Sequence, residues 1–198
     1  MNIESDFNYL GDMNLGALTA LTNILPDMDW NADQFRQTTF KVHQHTTTVY
    51  LSNIIETTLW NGIIPSEVVI VNQNLYDIAH PIIEELEQRF NSKVARSMLT
   101  RLPAGKKIPP HPDSGHYLMS VHRCHIPIQT NPDVVFTVNQ TTINMQVGQG
   151  YEINNSKWHY VSNNGTTDRV HLMIDLLPNN YQYDPSRGII HPETFKRP

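Results

Sequence analysis

Cysteine is almost missing: Cys124 stands alone in 198 residues. One thiol excludes an internal disulfide and predicts a reducing, cytoplasmic setting. Basic runs are missing as well. Fourteen Lys and Arg against nineteen Asp and Glu give a formal net charge of −5, and no Lys/Arg block supplies the footprint of a nucleic-acid partner. No stretch is apolar over the length of a bilayer span, so no membrane partner is expected. No basic segment leads into an apolar one near the start, so no secretion signal is expected either. Heptads, internal repeats and a shift of composition are also absent. A single domain over residues 1–198 follows, long enough to bury a sizeable core. Without a secretion signal, Asn139-Gln-Thr141 and Asn164-Gly-Thr166 are expected to be turns rather than glycosylation sites. Nothing in the sequence bears on oligomeric state.

What the chain does have is histidine, ten in all, concentrated in His111-Pro-Asp113-Ser-Gly-His116-Tyr-Leu-Met-Ser-Val-His122-Arg123-Cys124-His125. His111 and Asp113 follow a proline-rich turn, a spacing from which both can grip one metal ion. Imidazole plus carboxylate suits iron(II) when a second histidine completes one face of the ion and leaves the other open. At this composition, chance alone supplies about one His-x-Asp/Glu, so context must decide. A second instance, His191-Pro-Glu193, lies in a polar tail with no strand, histidine or arginine after it and is the chance member. Downstream of the first come Lys157-Trp-His159-Tyr and then Asp168-Arg169-Val-His171-Leu-Met-Ile-Asp175. His159 is the candidate third ligand. Arg169, ten positions on, offers a fixed fork for a carboxylate.

This order resembles the Fe(II)/2-oxoglutarate oxygenases, and within them the aspartyl/asparaginyl β-hydroxylase family. The matching pieces are Pro110-His111, Arg123-Cys-His125-Ile, and the run from His159 through Arg169 to Asp175, within roughly Lys93 to Pro178. The animal member that names the family lacks the carboxylate ligand. Asp113 therefore places this chain nearer the branches that resemble free-proline hydroxylases. The resemblance implies Fe(II), 2-oxoglutarate and O₂ as cofactor and cosubstrates. It implies hydroxylation of an amino acid, or of an amino-acid side chain in a polypeptide. It assigns Arg169 to the distal carboxylate of 2-oxoglutarate, with Arg123, His125 and Thr100 adding contacts. His171 could add a hydrogen bond beside Arg169, and His116 could reach the substrate. No catalytic side chain beyond the metal ligands is expected.

Along the chain, residues 1–12 are polar and expected to be loose. Leucines at 15, 18 and 21 predict a helix over Asn14 to Leu25, ended by Pro26. Asn31 to Phe40 suggests a helical turn, and Lys41 to Ser52 a strand with His43 and His45 on one face. Pro65-Ser66-Glu67 resembles a helix start. Leu75, Ile78, Ile82, Ile83, Leu86 and Phe90 predict a helix from Asn74 to Phe90 that lies across a sheet, with Pro81 a kink or break and His80 partly buried. A strand follows over Val94 to Leu102, then a turn over Pro103 to Pro110 with too many prolines to pair. Further strands are expected near 116–128, 133–139, 141–147, 150–154, 158–163 and 168–177. Such spacing predicts an antiparallel sandwich or barrel. The expected fold is mainly β (α+β): a cupin-like double-stranded β-helix, or jelly roll, with N-terminal helices on the outer face of one sheet. Residues 1–92 would be its helical and strand support, 93–178 the jelly-roll catalytic core, and 179–198 a tail that covers the mouth or mediates dimerisation.

Alternation sharpens the site. Arg169, His171, Met173 and Asp175 share one face of their strand, and Val170, Leu172, Ile174 and Leu176 the other. Arg123 and His125 share a face with Met119 and Val121. His122 and Cys124 fall opposite as structural residues, and Trp158 is expected in the core. His171 competes with His159 as distal ligand, but no arginine follows it. Asp175 competes with the cosubstrate as the partner of Arg169. The same barrel also serves cupin-like metal- or ligand-binding modules without oxygenase activity, which have no need of Arg169.

Overall fold

The computed structural model describes residues 3–54, 68–115 and 117–181. Two antiparallel sheets face one another. The major sheet has strand order β1-β9-β6-β11-β4-β2-β3, and the minor sheet β5-β10-β7-β8. The strands are β1 (Phe7–Asp12), β2 (Thr47–Ile54), β3 (Val68–Ile70), β4 (Ser92–Leu102), β5 (Lys107–His111) and β6 (His122–Gln129), followed by β7 (Val134–Val138), β8 (Thr141–Ile143), β9 (Gln149–Ile153), β10 (His159–Asn163) and β11 (Arg169–Pro178). The helices are α1 (Leu15–Ile24), α2 (Phe35–Thr39) and α3 (Gln73–Phe90). This is the expected mainly-β jelly roll with helices on the outer face of one sheet.

Local chemistry accounts for the helices. Asn14 caps α1 by accepting from the Ala17 amide at 3.0 Å, and Asn72 caps α3 through the Leu75 amide at 3.1 Å. Asn91 ends α3 in the left-handed region, at φ 46°. Pro81 sits inside α3 without dividing it. Leu75, Ala79, Ile82, Ile83 and Leu86 are buried on one stripe of α3. They pack with Leu18 and Leu21 of α1 against Val170, Leu172, Ile174 and Leu176 of β11. Truncating a residue such as Leu86 to Ala costs about 2–5 kcal/mol. The opposite face of β11 is thereby left to the barrel interior.

The fold departs from expectation in several places. Residues 7–12 are not loose: β1 pairs with β9, Phe7 sets its ring edge against Phe136 at 5.9 Å, and Tyr9 lies 5.2 Å from Tyr151. Aromatic pairing outweighs the polar neighbours there. Lys41–His43 form a 3-10 turn and the strand begins at Thr47, so His43 and His45 share no strand face. The proline-rich segment does pair. β5 is an edge strand whose ladder to β10 uses His111, Ile108 and Lys107. Its prolines fall where the register shifts, so no donor is missed. Residues 117–120 are turn and β6 starts at His122, while β8 stops at Ile143. His80 is exposed and Trp158 half-buried. Pro65-Ser66-Glu67, His116, His191-Pro-Glu193 and the tail beyond Tyr181 lie outside the described residues.

Candidate active site

His111 ends β5 and His159 begins β10, and the two are register partners across the minor sheet. Their ring centres lie 4.4 Å apart. Asp113 stands in the turn after β5, fixed by its amide donating to the Asn155 carbonyl at 2.8 Å. One donor atom from each of His111, Asp113 and His159 lies within 4.8 Å of the other two, a separation that side-chain rotation closes around one ion. Both imidazoles hold Nδ1 against a main-chain carbonyl: Pro109 at 2.8 Å for His111, and Lys157 at 2.9 Å for His159. That leaves Nε2 of each free as the candidate ligand atom. Burial pushes the His159 imidazole down to about 4, despite the nearby Asp113 carboxylate, which favours the neutral, ligating form.

Asp113 is oriented as tightly. Its Oδ2 accepts from Arg123 Nη1 and from Asn155 Nδ2, the latter at 3.2 Å. Its Oδ1 faces His111 Nε2 at 4.0 Å. Burial alone would raise this carboxyl, but Arg123, followed by His159 and His111, holds it well below the carboxylate range. Arg123 is itself engaged by Asp175, through Nε at 2.8 Å and Nη2 at 3.0 Å. Arg96 and the Tyr117 hydroxyl complete the coordination of Asp175. Arg123 thus stands between two carboxylates, beside the candidate metal ligand.

A second group lies deeper in the barrel. Arg169 and His171 point inward from β11, with Arg169 Nη2 2.8 Å from His171 Nδ1. His125 from β6 meets His171 at 5.7 Å and Phe136 at 5.4 Å, and the Arg169 guanidinium lies 5.8 Å from the Phe136 ring centre. Thr100 is the register partner of His171 on β4. Among the described residues Arg169 has no carboxylate partner, and Asp175 is taken elsewhere. Burial alone lowers the Arg169 guanidinium to about 9. Arg169 Nε, His171 Nε2 and both ring nitrogens of His125 are buried without a partner. Polar atoms left open in such numbers carry a desolvation cost, and a bound anion would relieve it at the donors among them, Arg169 Nε and one N–H of each imidazole. The donor set therefore fits 2-oxoglutarate, as the three ligands fit Fe(II).

Of the other sequence candidates, His122 is structural: Nδ1 lies 2.6 Å from Glu152 Oε1 and the ring stacks on Phe90 at 4.4 Å. Cys124 is fully buried in the helix-side core. Sequence reasoning missed Asn155, Arg96 and Tyr117, which act through partners remote in the chain. It also missed Arg36 and His43, whose approach to His111 depends on how the α2 segment folds back.

The family model described as Aspartyl/Asparaginyl beta-hydroxylase matches residues 67–178. No curated protein matches the chain in sequence. Among solved structures, the viral collagen prolyl hydroxylase of Paramecium Bursaria Chlorella virus-1, solved as its 2-oxoglutarate complex, superposes with TM-score 0.58 and 7% identity, covering 88% of this chain and 97% of that one. HygX from Streptomyces hygroscopicus, with nickel, 2-oxoglutarate and hygromycin B bound, gives TM-score 0.56 and 11% identity over 90% of this chain and 85% of that one. A 2OG-Fe(II) oxygenase-family protein from Burkholderia pseudomallei gives 0.53 and 11% over 86% and 95%. At these identities the likeness is one of fold. The family model covers more than half of the sequence and includes His111, Asp113, His159 and Arg169, and the chain belongs to the aspartyl/asparaginyl β-hydroxylase family of Fe(II)/2-oxoglutarate-dependent oxygenases.

Proposed function

We propose that His111, Asp113 and His159 hold Fe(II), that Arg169 anchors the distal carboxylate of 2-oxoglutarate, and that the chain hydroxylates a small molecule or a peptide, with an amino acid or an amino-acid side chain as substrate. Fe(II), when bound, would supply the oxidation by O₂, one oxygen atom entering 2-oxoglutarate as it loses CO₂ to give succinate and the other entering a substrate C–H bond.

The chain's own residues do the positioning. The main-chain carbonyls of Pro109 and Lys157 fix both imidazoles in the tautomer that ligates through Nε2. Arg123 and Asn155 occupy Asp113 Oδ2 and leave Oδ1 for the metal. Arg169, His171 and His125 present unpaired donors to the cosubstrate, and Thr100 lines the same region. Phe136 and Met173 keep this part of the barrel apolar, which strengthens every charge contact made there.

The observation that carries this reading is the buried Arg169, whose neighbours are neutral, in the same barrel as a candidate three-ligand cluster. A metal-binding module without oxygen chemistry has no use for that guanidinium. The test is succinate release from 2-oxoglutarate by purified protein with Fe(II) and O₂. His111→Ala and Asp113→Ala are expected to abolish it. Full turnover by His159→Ala would remove that residue from the ligand set.

A further inference from the structure

Four arginines extend toward the site: Arg36, Arg96, Arg123 and Arg169. Two are neutralised by carboxylates, Arg96 through Asp175 and Arg123 through Asp175 and Asp113. Arg169 is assigned above to the cosubstrate. Arg36 is left over.

Arg36 lies on α2, outside the segment that matches the family model. Its Nη1 donates to Thr48 Oγ1 at 3.2 Å and lies 3.7 Å from Met98 Sδ. Its Nη2 is 3.0 Å from His43 Nε2. Every one of these partners is neutral, and no ion pair to Arg36 exists among the described residues. Burial pulls the guanidinium down to about 10. His43 then sets its ring edge against His111 at 5.4 Å, so the charge of Arg36 stands one imidazole away from the candidate metal ligands. Buried Nδ1 of His43 and Oε1 of Gln37 have no partner.

The placement differs from that of the cosubstrate group. Thr48 on β2 pairs with Thr100 on β4, and Thr100 with His171 on β11. Two strand spacings, about 10 Å, therefore separate the Arg36 tether from the Arg169 pocket. Charge balance points the same way. The four guanidiniums exceed Asp113 and Asp175 by two positive charges. Ferrous iron adds two more and 2-oxoglutarate removes two, so the loaded site still favours an anion.

We propose that Arg36, held by Thr48 and His43, binds a carboxylate of the primary substrate, so that the substrate class is a carboxylic acid approaching the metal from the β2 flank. This rests on the proposed function and narrows it. An α-carboxylate of a free amino acid and a side-chain carboxylate in a peptide present the same chemistry, and the test separates them.

The test is calorimetric titration of zinc-substituted protein with 2-oxoglutarate held at saturation, so that Arg169 is already occupied. The probes are acetate, L-proline and N-acetyl-L-aspartic acid α-amide, each against its neutral counterpart: acetamide, L-prolinamide and N-acetyl-L-asparaginamide. At least one carboxylate is expected to bind while its amide does not, and which of the latter two carboxylates binds identifies the source. Arg36→Gln is expected to weaken that binding at least about tenfold, with Arg36→Lys recovering part of it. Affinity for 2-oxoglutarate in Arg36→Gln should stay within about threefold of the unaltered protein, showing an intact barrel. Should Arg36→Gln fail to fold, Thr48→Val removes the tether alone and is expected to weaken the carboxylate severalfold. Carboxylates that bind no better than amides, or that bind equally well to the variants, overturn the proposal. Failure of 2-oxoglutarate itself to bind would instead overturn the oxygenase site.

Discussion

Asp113 divides its two carboxylate oxygens between partners, and Arg123 fixes the division. Arg123 Nη1 and Asn155 Nδ2 occupy Oδ2, while Oδ1 is turned toward His111 Nε2 at 4.0 Å. Asp175 holds Arg123 in turn from the neighbouring strand, where the two are register partners. Orientation of a metal ligand by groups behind it is commonly worth 10–100-fold in metal affinity.

Arg123→Met is accordingly expected to weaken metal binding by about 10–100-fold. It should also cost about 3–5 kcal/mol of folding stability, because Asp175 and Asp113 each lose a buried guanidinium. Arg123→Lys restores a charge but not the fork that serves both carboxylates, so recovery is expected to be partial. Metal titration and urea denaturation measure the two effects. Unaltered affinity in Arg123→Met would detach Arg123 from the metal site.

Arg169 behaves in the opposite sense. Its burial is uncompensated among the described residues, so Arg169→Met should cost no stability in the absence of cosubstrate and could gain a few kcal/mol. Metal-loaded native protein should gain about 2.7 kcal/mol from 2-oxoglutarate at a hundred times its Kd. The variant should gain almost nothing at the same concentration. Urea midpoints with and without 2-oxoglutarate check both statements. A large loss in the cosubstrate-free variant would mean that a structural anion already pairs with Arg169.

Four imidazoles give the stability a pH dependence of definite sign. Burial lowers His125 and His171 well below the ordinary value of 6.5, His159 to about 4 and His43 to about 2. Below 6.5 the unfolded chain binds protons that the folded chain refuses. Stability is therefore fully present above that value and falls as the pH drops from about 6.5 toward 4. Despite burial, Arg123 holds both Asp113 and Asp175 below the usual carboxylate range; they stay ionised in the folded chain, so below about pH 5 their unfolded counterparts take up protons that they refuse, which steepens the same fall. The urea midpoint of metal-free protein is expected to fall between about pH 7.5 and 5. His171→Gln should flatten that dependence. A midpoint indifferent to pH would contradict the neutral, buried state of these rings.

The site was legible in the sequence to the extent that it is local or periodic. His111 and Asp113 lie two residues apart, and the period of two in β11 sends Arg169 and His171 to one face and Val170 and Leu172 to the other. What was illegible depends on register and on chain reversal. That Arg123 meets Asp175 follows from the pairing of β6 with β11, which no spacing in one strand reveals. The prolines of β5 concealed a strand because an edge position with a register shift needs fewer donors than a central one. His43 reaches His111, and brings Arg36 up behind it, because the turn at Lys41–His43 folds back on β5, where sequence pattern alone suggests a continuous strand.

The most direct measurement of the central claim is anaerobic equilibrium binding of Fe(II) and 2-oxoglutarate to the purified chain and its variants. One iron and one 2-oxoglutarate per chain are expected. His111→Ala, Asp113→Ala and His159→Ala should each lose the iron, and Arg169→Ala should keep the iron while losing the cosubstrate. Iron retained at full affinity in the three ligand variants, or 2-oxoglutarate bound equally well without Arg169, would contradict the account.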